Sequence, residues 1–89
     1  MRELLKKLGI TQTGNYGEGN AYIIDIDNDT EWGKFYSRLE NSEELYQLEE
    51  NSFLTNHNSS LIYMYEEEYQ LNLLADFDAD TYKLVITEI

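Results

Sequence analysis

The sequence predicts an α+β domain in which a small antiparallel sheet, a C-terminal three-strand meander plus one earlier strand, is covered on one face by one to three helices. Two observations support this class. Apolar residues at helical spacing lie in the first half of the chain, whereas its last third contains three short alternating runs close together. The 89 residues should form a single domain, residues 1–89, because no linker or long-period repeat divides them.

The chain is predicted to begin with a short helix and then a strand. Three leucines at helical spacing form the apolar side of this helix: Leu4, Leu5 and Leu8. Gly9 follows them and is a typical C-terminal stop. After a glycine-rich loop, the run AYIIDID favours a strand, with alternate apolar residues on one side: Tyr22, Ile24 and Ile26. Asp25 and Asp27 then face the other side.

The clearest helix is predicted over about residues 31–40. Its apolar face is formed by four residues at i, i+3, i+4 and i+7: Trp32, Phe35, Tyr36 and Leu39. Asp29 or Thr30 is the expected N-cap. This face should pack on the sheet, because an amphipathic helix must bury its apolar side.

The second half of the chain is predicted to add a further helix and then the meander. Leu45 and Leu48, with Ser42 as a cap, favour a second helix or a continuation of the first, followed by the polar loop TNHNSS. The runs LIYMYEE, YQLNLLADF and YKLVITEI then predict three strands. Tight turns are expected near Glu67 and at DAD.

The charge distribution favours a basic protein as partner. The net charge is -12, and residues 40–89 contain twelve acids against the single base Lys83, whereas residues 1–39 contain six acids against five bases. Such a chain repels nucleic-acid phosphates and anionic lipid heads, so direct nucleic-acid or membrane binding is not expected. No window reaches the apolar length of a membrane span, and a cytoplasmic protein is the default.

Two aspartate runs, DIDND and DFDAD, raise the question of a cation site. An EF-hand loop needs glycine at its sixth position and glutamate at its twelfth. The residues found there are Thr30 and Tyr36 in the first run, and Thr81 and Thr87 in the second. We therefore expect no metal or other cofactor, with a weak nonstandard cation site as the alternative. On a strand, alternate aspartates would lie about 6.8 Å apart, on the scale of the phosphates along a nucleic-acid strand.

The candidate partner-binding residues are the acids and the tyrosines among them. The acids are Asp25, Asp27, Asp29, Glu43, Glu44, Glu49, Glu50, Glu66, Glu67, Glu68, Asp76, Asp78 and Asp80. The tyrosines are Tyr63, Tyr65 and Tyr69, which share strand parity with Glu67 and are expected to be exposed. The acids should lie on the sheet face away from the helices. The turns should place Glu66 to Glu68 at one end of the sheet and Asp78 to Asp80 at the opposite end.

Catalysis finds little support in the sequence. His57 is the single histidine and lies in a polar loop, with no pattern that links it to a nucleophile or to metal ligands. The glycine-rich stretch GNYGEG lacks the strand and helix context of a phosphate-binding loop. We therefore expect that the protein is not an enzyme.

In its size, its lack of cysteine and its acid runs EEE, DFDAD and DIDND, the chain resembles the small acidic inhibitors of phages and mobile elements that imitate DNA. This class includes anti-CRISPR, anti-restriction and DNA-glycosylase-inhibitor proteins. The resemblance implies that a monomer or dimer occupies the nucleic-acid-binding cleft of a nuclease or other DNA-processing enzyme in the host cell cytoplasm. An immunity or antitoxin-like protein that binds a basic toxin is one alternative. A small phage structural or assembly protein with a solubilising acidic surface is another.

Overall fold

The structure is a computed structural model that describes residues 2–10, 14–16, 21–48 and 52–89. These residues form two helices and seven strands, which confirms the predicted α+β class. The helices are α1 (Arg2–Lys7) and α2 (Asp29–Asn41). The strands are β1 (Asn15–Tyr16), β2 (Ala21–Ile26), β3 (Leu45–Gln47), β4 (Phe53–Leu54), β5 (Asn58–Tyr65), β6 (Tyr69–Asp76) and β7 (Thr81–Glu88).

The strands form one antiparallel sheet in the order β1-β2-β7-β6-β5-β3, and β4 pairs with the same edge of β5 as β3 does. The C-terminal meander is present as predicted, with full-length pairing of β5 with β6 and of β6 with β7. The earlier strand β2 pairs with β7. The first and the last of the four long strands in chain order are therefore neighbours in the sheet. The short strands β1, β3 and β4, which the sequence did not predict, extend the sheet at its two edges.

Both helices pack on one face of the sheet, here called the helical face. Trp32, Phe35 and Leu39 of α2 are buried there as predicted, and so are Leu4 and Leu8 of α1. The strands contribute alternate residues to this core, including Ile24, Leu73, Leu84 and Ile86. Gly9 follows α1 with a φ of 67°, which is a left-handed conformation that glycine adopts without steric cost.

The N-cap of α2 is Asn28, so the prediction of Asp29 or Thr30 was wrong. Asn28 has an extended backbone, and its Oδ1 accepts a hydrogen bond of 2.9 Å from the backbone N–H of Glu31. The amide oxygen thereby satisfies one of the N–H groups that a helix start leaves unpaired. Asp29 instead occupies the first turn, where its negative charge lies near the positive end of the helix dipole.

The prediction of a helix around Leu45 and Leu48 was wrong. The structure has the short strands β3 and β4 in this segment instead. Leu45 pairs with Tyr65 and is buried, and the backbone N–H of Leu48 donates to the carbonyl of Ile62 over 2.8 Å. The Oγ of Ser52 accepts a hydrogen bond of 2.8 Å from the backbone N–H of Ile62. The segment therefore satisfies backbone groups along the outer edge of β5, and this outweighs its helical spacing.

The opposite side of the sheet, here called the open face, is covered by no described helix. It is formed by the other set of alternate strand residues, principally Ile23, Asp25, Tyr46, Phe53, Ser60, Ile62, Met64, Gln70, Asn72, Leu74, Asp76, Lys83, Val85 and Thr87. None of these residues is buried. No helix in the described ranges is long and apolar enough to cross a membrane.

Candidate protein-binding surface

The carboxylates lie at the two ends of the sheet. At one end, the turn from β6 to β7 lies beside the connection from β2 to α2, because Ile26 pairs with Tyr82 at the start of β7. This brings together five aspartates, here called the aspartate end: Asp27, Asp29, Asp76, Asp78 and Asp80. All five are exposed. They come from separate parts of the sequence, and the pairing of β2 with β7 unites them.

The other end of the sheet contains the glutamates. The turn from β5 to β6, the start of β3 and the end of β7 meet here, because Tyr65 pairs with both Leu45 and Tyr69, and Tyr69 pairs with Glu88. The exposed acids here, called the glutamate end, are Glu40, Glu43, Glu44, Glu66, Glu67, Glu68 and Glu88. The predicted placement of Glu66 to Glu68 opposite Asp78 to Asp80 is confirmed.

Two more specific expectations about the acids were wrong. Among the predicted site acids that the structure describes, only Asp25 and Asp76 lie on the open face, because most of the others lie in turns and helix starts rather than within strands. The aspartates also do not form extended rows. β2 ends at Ile26 before Asp27, and β6 ends at Asp76 before Asp78, so the chain bends within each run. Glu49 and Glu50 lie outside the described residues.

An aromatic cluster anchors the aspartate end to the core. The Phe77 ring lies edge-on to the Trp32 indole, with 5.3 Å between the ring centroids, and 6.1 Å from the Tyr82 ring. The backbone N–H of Phe77 also donates to the carbonyl of His57 over 2.9 Å. Because Phe77 lies between Asp76 and Asp78 in DFDAD, these contacts fix the turn that displays the aspartates.

Hydrogen bonds within the turn orient individual carboxylates. Asp76 Oδ1 accepts a bond of 3.1 Å from the backbone N–H of Ala79, and Asp80 Oδ1 accepts a bond of 2.8 Å from the Tyr82 hydroxyl. The bond to Asp80 raises the pKa of Tyr82 to about 12, together with burial and the negative charges of Asp80, Asp29 and Asp76. The Tyr82 hydroxyl thus lies in the combined field of three aspartates.

The aspartates have few basic side chains near them in the described residues, namely His57 and also Lys83, which lines a cleft with Asp76. Among the described residues, none of the five forms an ion pair with lysine or arginine. The Nδ1 of His57 lies 3.2 Å from a carboxylate oxygen of Asp78. Both of these side chains are exposed, and the contact is an ion pair only when the histidine is protonated. The aspartate end therefore presents strong negative charge to a partner.

Charge at the glutamate end is partly neutralised. Lys7 Nζ lies 2.7 Å from Glu44 Oε2, donates a bond of 2.8 Å to the Tyr65 hydroxyl and lies over the Tyr65 ring. The hydrogen bond to Glu44 raises the pKa of Lys7, and the bond from Lys7 lowers the pKa of Glu44. Glu44 is therefore less available to a partner than its neighbour Glu43, for which no ion pair is present among the described residues.

The predicted exposure of Tyr63 and Tyr65 was wrong, because both are buried on the helical face, with 2% and 6% of their surfaces exposed. Both parities of β5 are apolar, and the helices cover the tyrosine side. Tyr69 is half-buried against the core. Three exposed apolar side chains that the sequence did not single out as site residues lie on β3 and β4: Tyr46, Phe53 and Leu54. Their positions depend on β3 and β4, which were not predicted.

The two buried tyrosines allow a matched test. The Tyr63 hydroxyl has no hydrogen-bond partner among the described residues, so Tyr63→Phe is expected to raise the free energy of unfolding by about 1 kcal/mol. Tyr65→Phe removes the acceptor of the Lys7 hydrogen bond and should lower it by about 0.5–1.5 kcal/mol. Urea unfolding at pH 7 measures both changes. If both variants changed the free energy of unfolding in the same direction, the two hydroxyls would not differ in hydrogen bonding as described.

Tyr63 also predicts a loss of stability in alkali. Burial, together with the charges of Glu40 and Tyr36, raises its pKa from 10.0 to about 12. Because the folded-state pKa is raised, the unfolded chain loses this proton first, and stability falls as the pH rises from 10.0 towards 12. Tyr63→Phe should reduce this fall, as measured by urea unfolding at several alkaline pH values.

The turn at Glu66 and Glu67 is strained. Glu68 N–H donates to the carbonyl of Tyr65 over 3.0 Å, and the two residues between have φ angles of 50° and 58°. Positive φ at both central positions defines a type I′ turn, which strongly favours Asn-Gly. Glutamate at such a position costs about 1–2 kcal/mol. The chain therefore displays two negative charges where local stability favours other residues.

Replacing this pair with the preferred residues should stabilise the fold. We expect Glu66→Asn with Glu67→Gly to raise the free energy of unfolding by about 1–3 kcal/mol, measured by urea unfolding. The control is Glu66→Gln with Glu67→Gln, which removes the same charges and keeps the unfavourable backbone. An equal gain in both variants would show that charge repulsion, rather than backbone strain, is the cause.

Within the described residues, no group of three or more histidine, cysteine, aspartate or glutamate side chains is arranged to hold a metal ion. The aspartate end is thus a spread of separate carboxylates rather than a chelating cluster, and its chemistry is the binding of positive charge. No protein-family model matches the chain, and no curated protein or solved structure matches it either.

Proposed function

We propose that this protein is an acidic inhibitor that binds in the nucleic-acid-binding cleft of a basic DNA-processing enzyme, such as a nuclease, where its carboxylates take the place of phosphates. It is of the kind that phages and mobile elements carry, and it acts in the cytoplasm of the cell that contains its target. The observation that carries this proposal is the aspartate end, where five exposed aspartates lie together without a lysine or arginine partner among the described residues.

The proposed contacts are charge-assisted hydrogen bonds. Arginine can bind a carboxylate through two parallel hydrogen bonds, as it binds a phosphate, and lysine can bind it as a point charge. Unpaired surface charge also speeds encounter with an oppositely charged cleft. Because Phe77 and Tyr82 hold the aspartate turn against Trp32, little side-chain or loop ordering remains to oppose binding.

The two acidic ends fit an extended cleft. β6 is eight residues long and separates the turns that display Asp78 and Glu67, which places the two groups about 24 Å apart. On duplex DNA this distance corresponds to about seven base-pair steps. The protein would therefore imitate two separated stretches of phosphate backbone rather than one continuous row.

The experiment that tests this function is a paired affinity capture. Wild-type protein and the variant with Asp76, Asp78 and Asp80 replaced by asparagine are immobilised and exposed to the same host lysate at low salt. The proposal predicts that a nucleic-acid-binding enzyme is retained by the wild type, is eluted by salt and is depleted on the variant. Equal retention of all proteins on both baits would contradict it. A retained toxin without a nucleic-acid-binding cleft would instead identify an immunity protein.

A further inference from the structure

Each of the four long strands contributes an apolar side chain to the open face, and these form a strip that polar side chains interrupt: Ile23, Ile62, Leu74 and Val85. The strand register places Ile23 of β2 beside Val85 of β7, and Asn72 of β6 lies between Val85 and Ile62 of β5. In the next row, Leu74 lies between Lys83 and Ser60. A sheet face exposed to water usually carries mostly polar residues, whereas apolar patches bounded by charge mark interaction sites.

Aromatic side chains lie along one edge of this strip. Tyr46 and Phe53 pair with Met64 and Ser60 of β5 and have 51% and 50% of their surfaces exposed. Large aromatic residues with this exposure are enriched among the residues that dominate binding energy at interfaces. Neither contributes to the helical core, so an interface role accounts for their placement.

A cleft at the aspartate side of the strip offers an anchor point. It has a volume of about 330 Å³ and lies between Phe53, Leu74, Asp76 and Lys83. This volume is at the lower end of the range for small-ligand pockets, so the cleft is suited to a single large side chain of a partner. A buried anchor in such a cleft is typical of the energetic centre of a protein interface.

The charges around the strip select the occupant. Both ends of the sheet are acidic, so a second copy of this chain with its strands aligned in either direction would place acid against acid. With a net charge of -12 on each copy, this repulsion opposes self-association. A surface that covers the strip must therefore bring positive charge to both ends.

We propose that the open face docks a protein surface that has an apolar centre and groups of lysine or arginine at both ends, about 24 Å apart, which is the length of β6. The class of partner rests on the proposed function. The new element is that the apolar strip, and not the carboxylates alone, supplies the centre of the interface. One large apolar side chain of the partner enters the cleft beside Phe53.

Two synthetic peptides of identical composition test this inference. Each forms an amphipathic helix of about 18 residues, or about 27 Å, with a leucine stripe. One has its lysines in the first and last turns, and the other has them in the middle. We expect the end-charged peptide to bind at least about tenfold more tightly. Isothermal titration calorimetry gives both affinities, and amide NMR shifts should move at Ile62, Leu74 and Val85.

Variants separate the strip from the acids. Ile62→Thr with Leu74→Thr makes the strip more polar, and threonine is a residue that strands favour. The double variant should weaken binding of the end-charged peptide about tenfold. Ser37→Ala on the exposed side of α2 is the control and should leave binding unchanged. Urea unfolding checks that each variant is folded. If the double variant is destabilised, Phe53→Ser, on an exposed side chain, serves in its place.

The opposing results are equally specific. Equal binding of the two peptides, or NMR shifts confined to the acidic turns, would show that the carboxylates act alone, and the proposed inhibitor function would stand. Self-association that increases with salt and is lost in the double variant, seen by sedimentation, would assign the face to a second copy. Face-specific peptide binding together with failure of the paired capture would support the docking face and reject the inhibitor function.

Discussion

Trp32→Ala is expected to lower the free energy of unfolding by about 3–5 kcal/mol, because it removes the largest side chain of α2 from the core. Trp32 has 8% of its surface exposed and contacts three aromatic rings, those of Tyr36, Phe77 and Tyr82. A domain of this size has a total stability of about 5–13 kcal/mol, so the expected loss is a large fraction of the total. Urea unfolding followed by circular dichroism measures the change.

Two controls define the cause of this loss. Trp32→Phe keeps an aromatic ring and removes the indole N–H, which is buried without a partner among the described residues, so its loss should be smaller. Ser37→Ala on the exposed side of α2 should change the midpoint little. An unchanged midpoint for Trp32→Ala would place the indole outside the core and make it an interface residue instead.

Replacing Asp76, Asp78 and Asp80 with asparagine is expected to slow association with the captured partner by about tenfold or more. Asparagine keeps the oxygen acceptors used by Ala79 and Tyr82, and it tolerates the positive φ of Asp80, which is 54°. The turn should therefore keep its shape while three negative charges are removed. Surface plasmon resonance at several salt concentrations measures the rate, and the salt dependence should become flatter.

The matched control removes charge at the opposite end. Replacing Glu66, Glu67 and Glu68 with glutamine also removes three charges, but this end contains the Lys7–Glu44 pair, which already neutralises part of its charge. We expect a smaller reduction in the association rate. A larger effect from the glutamines than from the asparagines would show that the glutamate end, and not the aspartate end, dominates the electrostatic attraction.

The meander was predictable because its signals are local. The turns at Glu67 and at DAD lie between alternating runs, and neighbouring strands of this kind pair without information from the rest of the chain. The segment after α2 was not predictable in the same way. Leu45 and Leu48 have helical spacing, and only the unpaired edge of β5, which is distant in sequence, makes this segment extended.

The side of the sheet on which the tyrosines of β5 lie could not be predicted from the local sequence either. Tyr63 and Tyr65 alternate with Ile62 and Met64, so either side of the strand could have formed the core. The position of the helices decides the parity, and the tyrosines are the buried set. Exposure was therefore assigned to the wrong side, while the apolar residues that were expected inside lie on the open face.

The candidate site was partly predictable. The sequence identifies the acids as candidate binding residues, and the meander places the two acidic turns at opposite ends of the sheet. The union of Asp27 and Asp29 with the turn at Asp78 requires β2 to pair with β7 across more than fifty residues of sequence, and no local pattern indicates that pairing. Local spacing instead suggested rows of aspartate along extended strands, which the ends of β2 and β6 do not allow.

Displacement of DNA from the captured partner tests the central claim most directly. The partner is first bound to a fluorescently labelled DNA duplex, and the protein is then added while the anisotropy of the DNA is followed. Occupation of the nucleic-acid cleft predicts stoichiometric release of the duplex, with a higher concentration required when more DNA is present. A stable complex of all three components, with the anisotropy remaining at or above that of the partner bound to DNA, would contradict the claim.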